Sequence, residues 1–99
     1  MTHDTDGIRN EAQQRLEELC AHLLPHGHKE GHRWLCGSVH GEPGRSFSVN
    51  LRNGVFGDWA TGNNMQQGPI SLWMEVKGCD FLTAKRDLTV WLGRQPQEV

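Results

Sequence analysis

Ninety-nine residues, 35% hydrophobic and 22% charged with a net charge of −2, leave room for one small core and not for a second. Counting the 12 glycines brings the apolar share to about the 45–50% usual for a globular domain, so four Trp and three Phe must supply much of the buried area. No apolar run approaches the roughly 20 residues of a membrane span, the start Met1-Thr2-His3-Asp4 has no signal-peptide pattern, and the size argues against a two-lobed enzyme; a cytoplasmic binding module is expected.

In chain order, residues 1–7 are expected to be a disordered tail, 8–93 a single domain and 94–99 a second tail. From Ile8 to Leu24 the apolar positions Ile8, Ala12, Leu16, Leu19, Cys20 and Leu23 recur every three or four residues, which predicts one amphipathic helix. Thr5 or Asp6 can cap it, Pro25-His26-Gly27 stops it, and Glu11 and Arg15 form an i,i+4 pair on it. The period then changes. His32 to Val39 reads as a strand, Gly41-Glu42-Pro43-Gly44 as a turn, and Ser46 to Leu51 as a second strand with Phe47, Val49 and Leu51 on one face and Ser46, Ser48 and Asn50 on the other. Asn53-Gly54, two residues that tolerate positive φ, predicts a hairpin leading into a third strand, Val55 to Trp59.

Residues 60–68 read as a flexible polar loop. Pro69 opens a helix to about Lys77, with Ile70, Trp73, Met74 and Val76 as its apolar side, and Gly78 closes it. Asp80 caps a last helix that carries Phe81, Ala84, Leu88, Trp91 and Leu92 at helical spacing and stops at Gly93. The expected fold is α+β: an N-terminal helix, a three-stranded antiparallel meander and two C-terminal helices packed on one face.

The three cysteines, Cys20, Cys36 and Cys79, are widely spaced with no C-x-x-C pair, and read as reduced thiols. Charge is unevenly spread. Residues 1–21 sum to −3, residues 22–57 to +2 with five of the six histidines, and residues 58–99 to −1. The middle is therefore the expected anion-facing segment. Its strand and flank residues Lys29, Arg33, Arg45, Ser48, Asn50 and Arg52 are the candidate nucleic-acid contacts, by analogy with polar sheet faces that hold phosphates and bases. The acids are scattered, and no P-loop, nucleophile elbow or His-x-Glu pair occurs, so no catalytic residue is expected.

The run Trp34-Leu35-Cys36-Gly37-Ser38, then Gly41, Gly44 and Ser46-Phe47-Ser48-Val49, then Gly54-Val55-Phe56-Gly57-Asp58-Trp59-Ala60-Thr61-Gly62, resembles the primase-type zinc-ribbon domain that opens bacterial and phage DNA primases. The last helix, from Asp80-Phe81 through Ala84 and Leu88 to Trp91-Leu92-Gly93, is also similar. The match covers residues 12–93 and is nearest to a degenerate branch found in phage and mobile-element primase/helicase-like proteins. That family holds zinc with a Cys and a His on one turn and two Cys on another. Here Cys36 and His40 are one residue too far apart, and Phe56-Gly57-Asp58-Trp59 replaces the second pair. Two ligands cannot close a tetrahedral site, so no metal or other cofactor is expected, with Trp and Phe packing in its place. His26, His28, His32, Cys36 and His40 offer five potential ligands in fifteen residues, but without the paired short spacing of zinc knuckles.

The resemblance implies single-stranded template DNA as ligand. The expected role is a non-catalytic accessory module of phage or mobile-element DNA replication that binds single-stranded DNA weakly. The alternative is a stand-alone protein-binding module that binds or inhibits a polymerase, helicase or host defence complex.

Overall fold

The computed structural model describes residues 5–38, 40, 42–58 and 66–94. It is α+β, with four helices and a five-stranded antiparallel sheet. The long N-terminal helix expected from periodicity is two helices, α1 (Thr5–Gln14) and α2 (Leu16–Leu23). The break falls at Arg15, whose N–H is shared between the carbonyls of Glu11 (3.2 Å) and Ala12 (3.1 Å), a local tightening of the ladder. Periodicity does not detect it, because Ile8, Ala12, Leu16, Leu19, Cys20 and Leu23 are buried on both sides of the break. The expected Glu11–Arg15 pair is not made. Arg15 instead meets Glu18 (2.9 Å) and lies over the Trp91 ring, while Glu11 takes Arg94 (2.6 Å) from the far end of the chain.

The three strands expected are found within a longer meander: β1 (His28–Glu30), β2 (Arg33–Cys36), β3 (Phe47–Asn50), β4 (Val55–Asp58) and β5 (Gln66–Gln67), hydrogen-bonded in that order. Both additional strands are short, polar and at the sheet edges, where no apolar alternation marks them. Gln66 and Gln67 were part of the expected loop; residues 60–65 and Trp59 lie outside the described residues.

The β3–β4 hairpin exists but its turn is longer than Asn-Gly chemistry predicts. Asn50 Oδ1 accepts the backbone N–H groups of Arg52 (2.9 Å) and Asn53 (3.3 Å), which curls the chain before Leu51 can extend the strand. Gly54 N–H then closes on Asn50 O (2.8 Å), and Gly54 alone takes positive φ, at 77°.

Register fixes two faces. Trp34, Val49 and Phe56 are cross-strand partners on one face, with Cys36 opposite Phe47 on the same side. These residues join Ile8, Ala12, the buried residues of α2, and α3 and α4 in one hydrophobic cluster; the Phe47 and Phe56 ring centroids are 6.0 Å apart. The other face carries Arg33, Leu35, Ser48, Asn50 and Gly57. Leu35 and Ser48 are buried there, outside the main cluster.

Both C-terminal helices form where expected, α3 at Pro69–Lys77 and α4 at Phe81–Trp91. Pro69 sits in the first turn of α3, where its missing N–H costs nothing, and Gly78 ends the helix in the left-handed region. Asp80 Oδ1 accepts Thr83 N–H (2.8 Å) as the cap of α4. α3 packs on α4, α1, α2 and β5. Its buried side is Ile70, Leu72 and Trp73, with Met74 and Val76 half-buried; Leu72 was missed by the spacing argument. On α4, Ala84 and Leu88 are buried, and Phe81, placed on the apolar side by spacing, is 39% exposed. Of the Trp residues, Trp73 is buried, while Trp34 and Trp91 pack half-buried against the cluster. Among the described residues no helix is long and apolar enough to cross a membrane.

Candidate nucleic-acid interface

The six residues singled out from sequence do not gather on one face. Lys29 lies on the helix-side face of β1 and pairs with Glu17 of α2 (3.0 Å). Arg45 reaches Glu30, which His28 also contacts (2.7 Å). The His28 ring and the Arg45 guanidinium together hold the Glu30 carboxyl below its ordinary range. These two cations are already neutralised within the fold. Ser48 is 5% exposed, so its hydroxyl is not offered to a ligand. Asn50 spends its side-chain oxygen on the turn.

Two cations remain. Arg33 is exposed on the outer face, opposite Glu30 and Asn50 in register, and makes no ion pair among the described residues. Arg52 is exposed in the β3–β4 turn, and Gln13 Nε2 donates to its carbonyl oxygen (3.3 Å). The two lie at the same end of the sheet, because both hairpin turns are there and Leu51 N–H donates to His32 O (2.7 Å) across them.

Arg52 opens onto a hollow of about 450 Å³. Arg9, Asn10 and Gln13 of α1 form one wall, Arg52 and Asn53 a second, and Gln67 to Ser71 a third. No carboxylate is among its described lining residues, which makes it a locally positive site on a chain of net charge −2. Of its two cations, Arg9 has the exposed Asp6 carboxylate 3.8 Å away. The hollow is held open by hydrogen bonds within its walls. Asn53 Oδ1 accepts Val55 N–H (2.9 Å), Gln67 Nε2 donates to Asn53 O (2.8 Å), and Gly68 N–H donates to Gly54 O (3.1 Å). Arg9 was not singled out from sequence. Its spacing of four from Gln13 places both on one face of α1, but only the folded turn shows that this face looks onto Arg52.

The remaining chemistry-bearing residues are not among those lining the hollow. Cys36 is fully buried, donates to Ser38 O (3.1 Å), and burial pushes its thiol up to about 11; burial pushes Cys20 up to about 12. His40 is exposed in the following turn, and among the described residues no three His, Cys, Asp or Glu side chains come together to hold a metal. His22 lies between Trp73 and Trp91, 5.8 Å from each ring centroid, and the Arg15 guanidinium sits 4.7 Å from the Trp91 centroid. This cluster links α2, α3 and α4 beside the core. Compared with known proteins, the chain matches no family model, no curated protein and no solved structure.

Proposed function

We propose that this chain is a non-catalytic accessory module of phage or mobile-element DNA replication that binds single-stranded DNA weakly through the hollow between α1, the β3–β4 turn and the start of α3. One observation carries the reading: two guanidinium groups, Arg9 and Arg52, line a concave site with no carboxylate among its described lining residues. Arg33 adds a third cation at the same end of the sheet. Arginine forks suit phosphate oxygens, and a small number of such contacts gives weak, salt-sensitive binding. The resemblance to primase zinc ribbons supports DNA as the source of those phosphates.

The test is fluorescence anisotropy of a labelled single-stranded oligonucleotide at low salt. Two phosphate contacts on a single strand correspond to a slope of log K against log salt of about −1.4. The Arg9→Ala/Arg52→Ala variant should lose binding. Lys29→Ala and Arg45→Ala, which remove cations already paired inside the fold, should bind as the wild type does. No wild-type binding at low salt, or equal binding by the Arg9/Arg52 variant, overturns the proposal.

A second reading, a protein-binding module that binds or inhibits a polymerase, helicase or defence complex, is favoured by α4. Leu82 is 73% exposed and Val90 57%, about two turns apart along α4.

A further inference from the structure

The walls of the hollow bear on what part of a nucleic acid it can take. Gln13 Nε2 to Arg52 O ties α1 to the β3–β4 turn. Gln67 Nε2 to Asn53 O and Gly68 N–H to Gly54 O tie that turn to the start of α3. α1 and α3 are in turn packed together, with Ile8, Ala12 and Ile70 in the shared core. Each wall is thus joined to the next, and among the described residues the shape is a wide-mouthed cup. A groove that tracks a strand must be open at two ends, so that the backbone enters at one and leaves at the other. A cup admits a chain end.

Size and charge agree with this. A volume of about 450 Å³ lies in the range of small-molecule sites and suits one nucleotide unit, not a run of several. An internal phosphodiester carries one negative charge and a nucleotide on either side. A phosphomonoester, with a second pKa of about 6, carries close to two negative charges at neutral pH and three terminal oxygens. Two guanidinium groups, with no carboxylate among the described lining residues and only the exposed Asp6 beside Arg9, match the second better than the first. Asn10 and Ser71 add neutral polar groups to the same lining, and Pro69 and Ile70 add apolar surface.

Resting on the reading above, we infer that the hollow is a phosphomonoester site that takes the phosphorylated end of a single strand, with Arg9 and Arg52 on the terminal phosphate. The same chemistry is present in a free nucleoside monophosphate, and the experiment separates the two sources. Oligonucleotides of one sequence are compared with a 5′-phosphate, a 3′-phosphate or hydroxyl groups at both ends, each labelled internally, by anisotropy at low salt and pH 7.5. Thymidine 5′-monophosphate is added as competitor.

An end-phosphorylated strand is expected to bind about tenfold or more tightly than the hydroxyl-ended one. That difference should vanish in Arg9→Ala/Arg52→Ala, whose exposed substitutions leave the urea midpoint in place. Arg52→Lys, which keeps the charge but not the fork, should retain only part of it. Displacement by thymidine 5′-monophosphate at equal concentration identifies the free nucleotide as the better ligand of the same site. Equal binding of phosphorylated and hydroxyl-ended strands, both weakened by the double substitution, overturns the end-recognition inference while leaving the DNA-binding proposal standing. Absence of binding by all three strands overturns both.

Discussion

Gly54 is where the stability of the fold and the shape of the hollow meet, and Gly54→Ala separates two contributions. The residue sits at φ 77°, and a Cβ there would lie 2.7 Å from Gln13 Oε1. Holding an L-residue in the left-handed region costs about 1–2 kcal/mol. The clash is with the far end of a flexible side chain, so Gln13 can swing away and forfeit its long 3.3 Å bond to Arg52 O, a loss of about 0.5 kcal/mol. Backbone strain therefore outweighs the contact, and the total should be near 2 kcal/mol. For a domain of this size that corresponds to a fall in Tm on the order of 10 °C. Urea unfolding followed by Trp fluorescence would measure it, with the m-value unchanged. Gly54→Asn, whose side chain tolerates the left-handed region, should recover much of the loss, and Gln13→Ala in the Gly54→Ala background should recover little. A Gly54→Ala cost under about 0.5 kcal/mol, or full rescue by Gln13→Ala, would refute the strain argument.

Further outcomes follow from other contacts. Trp34→Phe removes the indole N–H that donates to Leu24 O (3.1 Å) at the end of α2 and should cost about 1 kcal/mol in the same urea assay. Gly27→Ala should be worse, because its Cβ would lie 2.4 Å from Trp34 Nε1 and 2.7 Å from the Leu35 carbonyl; equal stability would show that the α2–β2 junction is looser than described. The backbone and side-chain groups of Thr83 hold the Asp80 carboxyl below its ordinary value of 3.8. The folded state thus binds fewer protons there, and this contribution is complete above pH 3.8 and lost as pH falls through the lower folded value. Asp80→Asn keeps a capping oxygen that cannot titrate, so its stability should fall less steeply than that of the wild type in acid denaturation; identical acid profiles would count against the cap. Native-state alkylation should label Cys79, which is half-exposed, well before Cys20 and Cys36, as read by intact mass; simultaneous labelling of all three thiols would contradict the burial described.

The core was largely legible in the sequence. The three-and-four spacing from Ile8 to Leu23 and the alternation at Phe47 and Val49 both mark residues that are buried, since periodicity records which side faces inward. Pro69, Gly78 and Asp80 fixed the C-terminal helices because each acts through local backbone chemistry. What was not legible depends on partners distant in sequence or on weak local signals. The break at Arg15 leaves the apolar stripe intact, and β1 and β5 are polar edges defined by their neighbours. The candidate site suffered most from this. Lys29, Arg45, Ser48 and Asn50 have the right composition for a nucleic-acid face, yet each is engaged by the fold through Glu17, Glu30, burial and the turn backbone respectively. Arg9 and Arg52 line one hollow only because α1 packs beside the β3–β4 turn, a juxtaposition that no spacing rule encodes for residues so distant in sequence.

The order β1-β2-β3-β4-β5 has a kinetic meaning. Every strand pairs with its sequence neighbour, so the sheet can zip hairpin by hairpin with small loop-closure entropy at each step. α3 and α4 are likewise adjacent in the chain. The long closures are made by α1 and α2, which must come back to α3, and α1 is clasped to the end of the chain by Glu11 and Arg94, 83 positions apart. By loop-closure entropy the first segment of the chain is expected to dock last, and the wall that carries Arg9 with it. Ligand binding at the hollow would report completion of the fold, not formation of the sheet.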